Sequence, residues 1–191
     1  MSKCKIVFLG AAGTGKTSLI QQFVSNHFEN NYSVTVGIDF FIKPIQVQDR
    51  TVNLQIWDTA GQEKFKSLIP SYIRDSSIAI IVYDVSSPNT FDEAIQWHKM
   101  VVNERGNDAI CILVGNKNDL ENRVAHERVV EFCKPLGIST IETSAKTGQN
   151  VIRLFKLIGE SIPDNSTPVP INITPAPIQI DNPSANGSCG C

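Results

Sequence analysis

Gly10-Ala-Ala-Gly-Thr-Gly-Lys-Thr17 follows the apolar run Lys5–Leu9 and opens a helical pattern from Lys16 to about Val24. A strand ending in glycine, a glycine-rich turn and a helix starting at Lys-Thr give the context in which G-x-x-x-x-G-K-T cradles phosphate. Glycines let successive backbone N–H groups turn inward around phosphate oxygens, and the helix N-terminus adds positive potential. Gly13, Thr14, Gly15, Lys16, Thr17 and Ser18 form the candidate nucleotide-binding stretch. Lys16 is placed to bridge β- and γ-phosphates, and the Thr17 hydroxyl to ligate Mg²⁺.

Working outward, strands and helices alternate. Ile42–Val47 and Thr51–Trp57 flank a turn and are expected to pair as an antiparallel hairpin. Pro44 cannot donate to a ladder, which puts the first of these strands at the sheet edge. Apolar runs at Ile78–Tyr83, Ile110–Val114 and Ser139–Glu142 follow, with helical patterns at about 88–104, 125–134 and 150–162. This alternation predicts an α/β fold of the phosphate-loop type. Its sheet is six-stranded and mostly parallel, with one antiparallel edge strand and helices on both faces. Ligands of such sheets sit at the carboxyl ends of the strands.

Three further islands fall at those ends. Asp58-Thr-Ala-Gly-Gln62 closes the hairpin, where an aspartate can hold magnesium through water. Gly61 lets its N–H approach a γ-phosphate, and Gln62 can orient an attacking water. Asn116-Lys-Asn-Asp119 and Ser144-Ala-Lys146 read a base. The Asp119 carboxylate can accept from guanine N1–H and the 2-amino group. Adenine offers neither donor, so a buried carboxylate would be left unpaired, and such sites reject the lacking analogue by about 10⁴ or more. The Lys117 stem can cover the ring face, Asn116 can tie the loops together, and the Ala145 N–H can donate to the base oxygen.

Composition narrows the class. Seventeen Lys and Arg oppose nineteen Asp and Glu over 191 residues, which argues against a nucleic-acid partner. Ile6-Val-Phe-Leu9 is too short for a signal or spanning segment, so a cytosolic chain is expected. The four N-x-S/T matches at Asn31, Asn165, Asn172 and Asn186 are then chance. Cys4, Cys111 and Cys133 lie in apolar stretches without metal-ligand spacing and read as core. His27, His98 and His126 sit in polar surroundings and read as surface. Residues 1–162 make the expected domain. From 163 to 191 prolines recur among Asn, Ser, Thr and Ile with no Lys or Arg, a composition that neither helix nor sheet accommodates.

With these motifs the chain resembles the small GTPases of the Ras superfamily over roughly residues 3–162. Val36-Gly-Ile-Asp-Phe40, Trp57-Asp-Thr-Ala-Gly-Gln-Glu-Lys-Phe65 and the Cys189-Gly-Cys191 ending resemble the Rab family. Ser67-Leu-Ile-Pro-Ser-Tyr-Ile-Arg-Asp-Ser76 and Glu104-Arg-Gly106 look like its Golgi-associated Rab six subgroup. The resemblance implies slow hydrolysis of GTP to GDP with Mg²⁺, by Gln62 and Lys16, and a metal site of Thr17, Thr35 and Asp58. It implies that Thr35 closes onto the metal and γ-phosphate, that Phe28 packs edge-on against the guanine, and that Tyr32 shields the phosphates. Val36, Gly37, Ile38, Asp39, Phe40, Trp57 and Tyr72 would meet effectors at the two switch segments. Trp57 has independent support: Val52, Leu54 and Ile56 alternate with Asn53, Gln55 and Trp57, so the indole shares the polar face. A cover supplied by a neighbouring element of the same chain remains the alternative. Residues 34–40 read as a loop entering the edge strand, able to move as a phosphate sensor must.

The ending resembles the Rab pattern in which Cys189 and Cys191 are both geranylgeranylated; Ser188 excludes a C-a-a-X box. Two lipids anchor stably where one binds marginally, and no basic residue follows Lys156 to assist. The resemblance further implies a monomer served by an exchange factor, an activating protein, a GDP-dissociation inhibitor and a prenylation escort. It implies residence on the cytoplasmic face of Golgi membranes, with a cytosolic GDP-bound pool. Two departures stand out. Ala12 places a methyl where many Ras proteins have glycine, slowing hydrolysis at most, and Lys64 and Lys66 replace arginines common in Rabs. A GTP-binding scaffold with negligible hydrolysis is the alternative reading.

Overall fold

Ile6 and Phe8 project from one side of β1 (Ser2–Leu9), Val7 and Leu9 from the other, and all are fully buried. A strand buried on both faces must be covered on both, and the rest of the fold supplies the covers. The computed structural model describes residues 2–29, 35, 37–61, 68–106 and 109–162. Along the chain run β1, α1 (Lys16–Ser25), β2 (Ile38–Val47), β3 (Arg50–Thr59), α2 (Ile69–Asp75) and β4 (Ile78–Asp84). α3 (Pro88–Arg105), β5 (Ile110–Asn116), α4 (His126–Leu136), β6 (Ser139–Glu142) and α5 (Val151–Glu160) complete it.

The six strands are ordered β2-β3-β1-β4-β5-β6. Among the described residues only β2 and β3 pair antiparallel; the other pairings are parallel. The fold is the small G-domain form of the phosphate-loop α/β architecture. Pro44, opposite Asn53, sits on the edge strand, where its missing N–H costs no ladder bond.

One face packs Ile6, Phe8, Ile80 and Val114 against Leu19 and Phe23 of α1 and Phe155 of α5. Phe23 and Phe155 stack with centroids 3.6 Å apart at 7°. Burying each of these rings stabilises the fold by about 2 kcal/mol. The other face packs Val7, Leu9, Ile81 and Leu113 against Ile73 of α2, Trp97 of α3 and Val129 of α4. Cys4, Cys111 and Cys133 are buried and free, as core cysteines should be.

Two expectations need correction, and one element is added. β2 begins at Ile38, so Ile38–Phe40 is ladder and not loop; Ile38 pairs with Thr59 and Phe40 with Trp57. α2 goes unread in the sequence, although Pro70 suits a first helical turn and Ile69 and Ile73, one turn apart, are both fully buried. His98 is half-buried, its ring edge-on to Phe132 at 5.5 Å, and burial lowers its pKa.

Candidate functional site

At the carboxyl ends of the strands lies a cavity of about 290 Å³. The first loop supplies Gly13, Gly15, Lys16, Thr17 and Ser18 to its wall; Thr35 and Gly61 stand across from them. Phe28, Asn116, Lys117, Asp119, Ala145 and Lys146 line the remainder. Thr14, Asp58 and Ser144 are fully buried residues of the same loops. Four islands far apart in the chain therefore meet in one place.

At one end, Gly15 stands at the N-cap of α1 with a φ of 90° that only glycine adopts readily, and it brings no capping side chain. A β-carbon there would meet Asn116 Nδ2 at 2.3 Å. The first-turn N–H groups are thus left for an anion. Lys16, 5% exposed, donates from Nζ to the Gly10 and Ala11 carbonyls, both at 2.9 Å. Burial lowers its pKa from 10.5 to about 8, opposed by the Asp58 and Glu93 carboxylates. The buried ammonium is half-paired, with neutral acceptors that phosphate oxygens can replace.

Beside it the Thr17 hydroxyl donates to Asp58 Oδ2 at 2.5 Å and shares a 2.7 Å hydrogen bond with the Thr35 hydroxyl. Asp58 is fully buried, and its Oδ1 has no hydrogen-bond partner among the described residues. Burial raises this carboxyl from 3.8 to about 6, against the Thr17 hydrogen bond and Lys16. Two hydroxyls and a carboxylate with an orphaned oxygen are the hard-oxygen donor set that Mg²⁺ takes, so these residues fit that ion. Gly61 lies against the first loop so closely that a β-carbon would stand 2.4 Å from Ala12 N. The exposed Ala12 methyl sits at the mouth of the cradle.

The opposite end is tied down by its own hydrogen bonds. Asn116 donates from Nδ2 to the Thr14 carbonyl at 2.8 Å, across the cavity floor. Its Oδ1 accepts from the Thr143 hydroxyl at 3.2 Å and the Ala145 N–H at 3.1 Å. That N–H, expected to face a base oxygen, is already engaged; an incoming oxygen must share it. Ser144 Oγ donates to Asp119 Oδ1 at 2.6 Å and accepts from the Thr147 N–H at 3.1 Å. Asp119 itself is exposed, not buried, so any penalty against adenine arises only once the base covers it.

A model of the Ras family matches residues 5–164. The chain belongs to the Ras family. As a member it is a small GTPase that binds guanine nucleotide, of a family whose proteins hydrolyse GTP, typically bind Mg²⁺ and work through regulators and effectors.

Outside the Ras-family cavity, Phe40, Trp57 and Tyr72 form a row. Phe40 and Trp57 lie 4.5 Å apart between centroids, Trp57 and Tyr72 5.0 Å. Phe40 is 43% exposed and Trp57 partly buried. Both the outward position and some intrachain cover are therefore present. Asp39 is exposed, and Gly37, at φ 84°, leads into β2 with its carbonyl accepting from Ala60 N–H at 3.0 Å. Tyr32, Val36, Gln62, Lys64, Lys66, Cys189 and Cys191 lie outside the described residues.

Sequence reasoning missed Asp84, which pairs with Lys117 Nζ at 2.6 Å. Burial opposes its ionisation, but hydrogen bonds from Lys117 and Ser86 hold its pKa below the ordinary value. The available signal was a charged residue closing a wholly buried strand on the ligand rim.

Proposed function

We propose that this Ras-family chain is a Rab-type GTPase, a membrane-anchored switch in vesicle trafficking at the Golgi. The aromatic row carries the reading. It joins Phe40 of β2 and Trp57 of β3 to Tyr72 of α2, and β3 carries Asp58, which bonds Thr17 of the nucleotide cavity. A change at the third phosphate is felt there first. A part-exposed aromatic row beside a phosphate-sensing segment suits an effector.

In this reading Gly13, Gly15, Lys16, Thr17, Ser18 and the backbone of α1's first turn hold the phosphates. Lys16 leaves the Gly10 and Ala11 carbonyls for β- and γ-phosphate oxygens. Water, oriented by Gln62, attacks the γ-phosphorus as the bond to the β,γ-bridging oxygen breaks; Gly61 N–H and Lys16 stabilise the charge. Thr17, Asp58 and Thr35 would hold Mg²⁺, which when bound neutralises phosphate charge. Intrinsic turnover is expected on the order of 10⁻⁴ s⁻¹, with an activating protein supplying the rest. Gln62→Leu slows activator-stimulated hydrolysis; unchanged single-turnover rates remove Gln62 from that role. Asn116, Lys117, Asp119, Ser144, Ala145 and Lys146 read guanine, with Phe28 at the ring edge and Tyr32 over the phosphates.

Dual geranylgeranylation of Cys189 and Cys191 supplies the anchor, and a GDP-dissociation inhibitor with its escort handles the lipids. The test is live imaging of an N-terminally tagged chain beside a Cys189→Ser/Cys191→Ser chain, against a Golgi marker. Wild type on Golgi membranes with a diffuse double variant is the expected result. Wild type on another organelle discards the Golgi assignment, and wild type that stays diffuse when loaded with a non-hydrolysable GTP analogue discards the anchor.

A further inference from the structure

Asp84 closes β4 opposite Asn116 in the parallel ladder and is 7% exposed. Its Oδ1 accepts from the Ser86 N–H at 2.9 Å and the Ser86 hydroxyl at 2.6 Å. Its Oδ2 takes the Lys117 ammonium at 2.6 Å. The carboxylate is thus oriented by its own loop before the lysine arrives. Lys117 lines the nucleotide cavity, and Asp84 does not. The head of the lysine is therefore drawn to the end of β4, while its four-carbon stem stays on the cavity wall between Asn116 and Asp119. Lys117 also has a left-handed backbone, φ 67°, which directs its side chain differently from its neighbours in the loop.

We infer that Asp84 is a positioning residue for purine recognition: by holding the Lys117 ammonium it lays the lysine stem across the ring face of the bound base. The inference rests on the reading of Asn116–Asp119 as the base-binding corner. Lysine loses more rotamer freedom on ordering than most side chains, and a stem already pinned loses less when the base arrives. The apolar stem then covers the ring while the charge stays paired with carboxylate. A purely structural brace between β4 and β5 is redundant here. The ladder already zips Ile78–Asp84 to Ile110–Asn116, and the Val85 N–H continues it to the Asn116 carbonyl at 3.0 Å.

The experiment is release of fluorescent GDP and fluorescent IDP from the full chain loaded with Mg²⁺, with melting temperatures measured in parallel. Asp84→Ala is expected to speed release about tenfold, since it unpairs a charge-assisted bond. Lys117→Ala gives a similar rise, and the double variant releases no faster than the quicker single one, because Asp84 acts only through Lys117. Asp84→Asn keeps one acceptor oxygen, which serves Ser86 or Lys117 but not both, and its effect lies between wild type and Asp84→Ala. The factor for Asp84→Ala is equal for GDP and IDP, because a ring face, unlike an edge, is common to both bases. Wild-type release from Asp84→Ala overturns the inference while leaving the cavity's assignment intact, and so do effects that multiply in the double variant. Failure of the wild-type chain to retain GDP overturns both.

Discussion

The two ends of the nucleotide cavity differ in what they do without a ligand. At the base end, Asn116 bonds Thr14, Thr143 and Ala145, and Ser144 bonds Asp119 and Thr147, so the recognition groups brace one another. At the phosphate end, Lys16 is buried on two neutral carbonyls and Asp58 Oδ1 has no partner among the described residues. Burial moves the Lys16 and Asp58 pKa values toward neutrality, to about 8 and about 6. The base end contributes to the stability of the fold. The phosphate end stores an electrostatic cost that an anion and a cation relieve together. Changes at the base end should therefore weaken folding and binding together, and changes at the phosphate end should separate them.

Lys16→Met is the harshest test. It removes the only described side-chain cation lining the first loop of the cradle, and with it a charged bond to phosphate. GDP affinity is expected to fall about 1,000-fold, the scale for truncating a buried charged partner. The ligand-free protein should melt no lower than wild type, since burial penalises this ammonium, lowering its pKa to about 8, and the methionine stem fills the same space. Calorimetry of GDP binding beside thermal melts without nucleotide decides it. A variant that loses stability and affinity together would erase the distinction between the two ends.

Much of this contrast is readable from the chain, and its limits have physical causes. G-x-x-x-x-G-K-T, D-T-A-G, N-K-N-D and S-A-K are local strings whose chemistry is carried by residue type and strand-end position. The sheet follows from apolar runs of the right length and spacing. What stays hidden is set by partners distant in sequence. Lys117 looks like a lone stem until β4 brings Asp84 beside it. The Ala145 N–H looks available until Asn116, 29 residues away, takes it. α2 spans only seven residues with two buried isoleucines, too short for its periodicity to stand out from turn. His98 reads as surface because Phe132, which its ring meets, belongs to a different helix.

Asp58→Asn sharpens the comparison through pH. The folded-state pKa is about 6 against an ordinary 3.8, so Asp58's favourable contribution is complete below about pH 3.8 and is lost as pH rises through 6. Above pH 6 the wild type carries an ionised, half-satisfied carboxylate that asparagine does not. With nucleotide absent and EDTA present, the variant should be more stable at pH 7.5 by on the order of 2 kcal/mol. The melting temperature rises by several degrees for a chain of this size. The gap should close as pH falls from 7 to 4. A constant gap would trace the effect to packing, and a less stable variant would mean that the carboxylate is already paid for without metal. Adding Mg²⁺ and GDP should reverse the order, because only the carboxylate completes the donor set.

Ser144→Ala is the mildest change and the one that speaks for the base end. Its hydroxyl donates to Asp119 and accepts from Thr147 N–H, so its loss frees an exposed carboxylate and leaves one loop N–H without its acceptor. Ser144 is fully buried, so water does not readily replace it. The ligand-free protein should lose about 1 kcal/mol, the net worth of a hydrogen bond. GDP release should quicken about tenfold, since Asp119 must now be ordered at the moment of binding. IDP, which lacks the 2-amino group and so one of the two bonds to that carboxylate, should be affected less. Equal factors for the two nucleotides would mean that Ser144 shapes the loop as a whole, and an unchanged melting temperature would remove the self-bracing that separates this end of the cavity from the other.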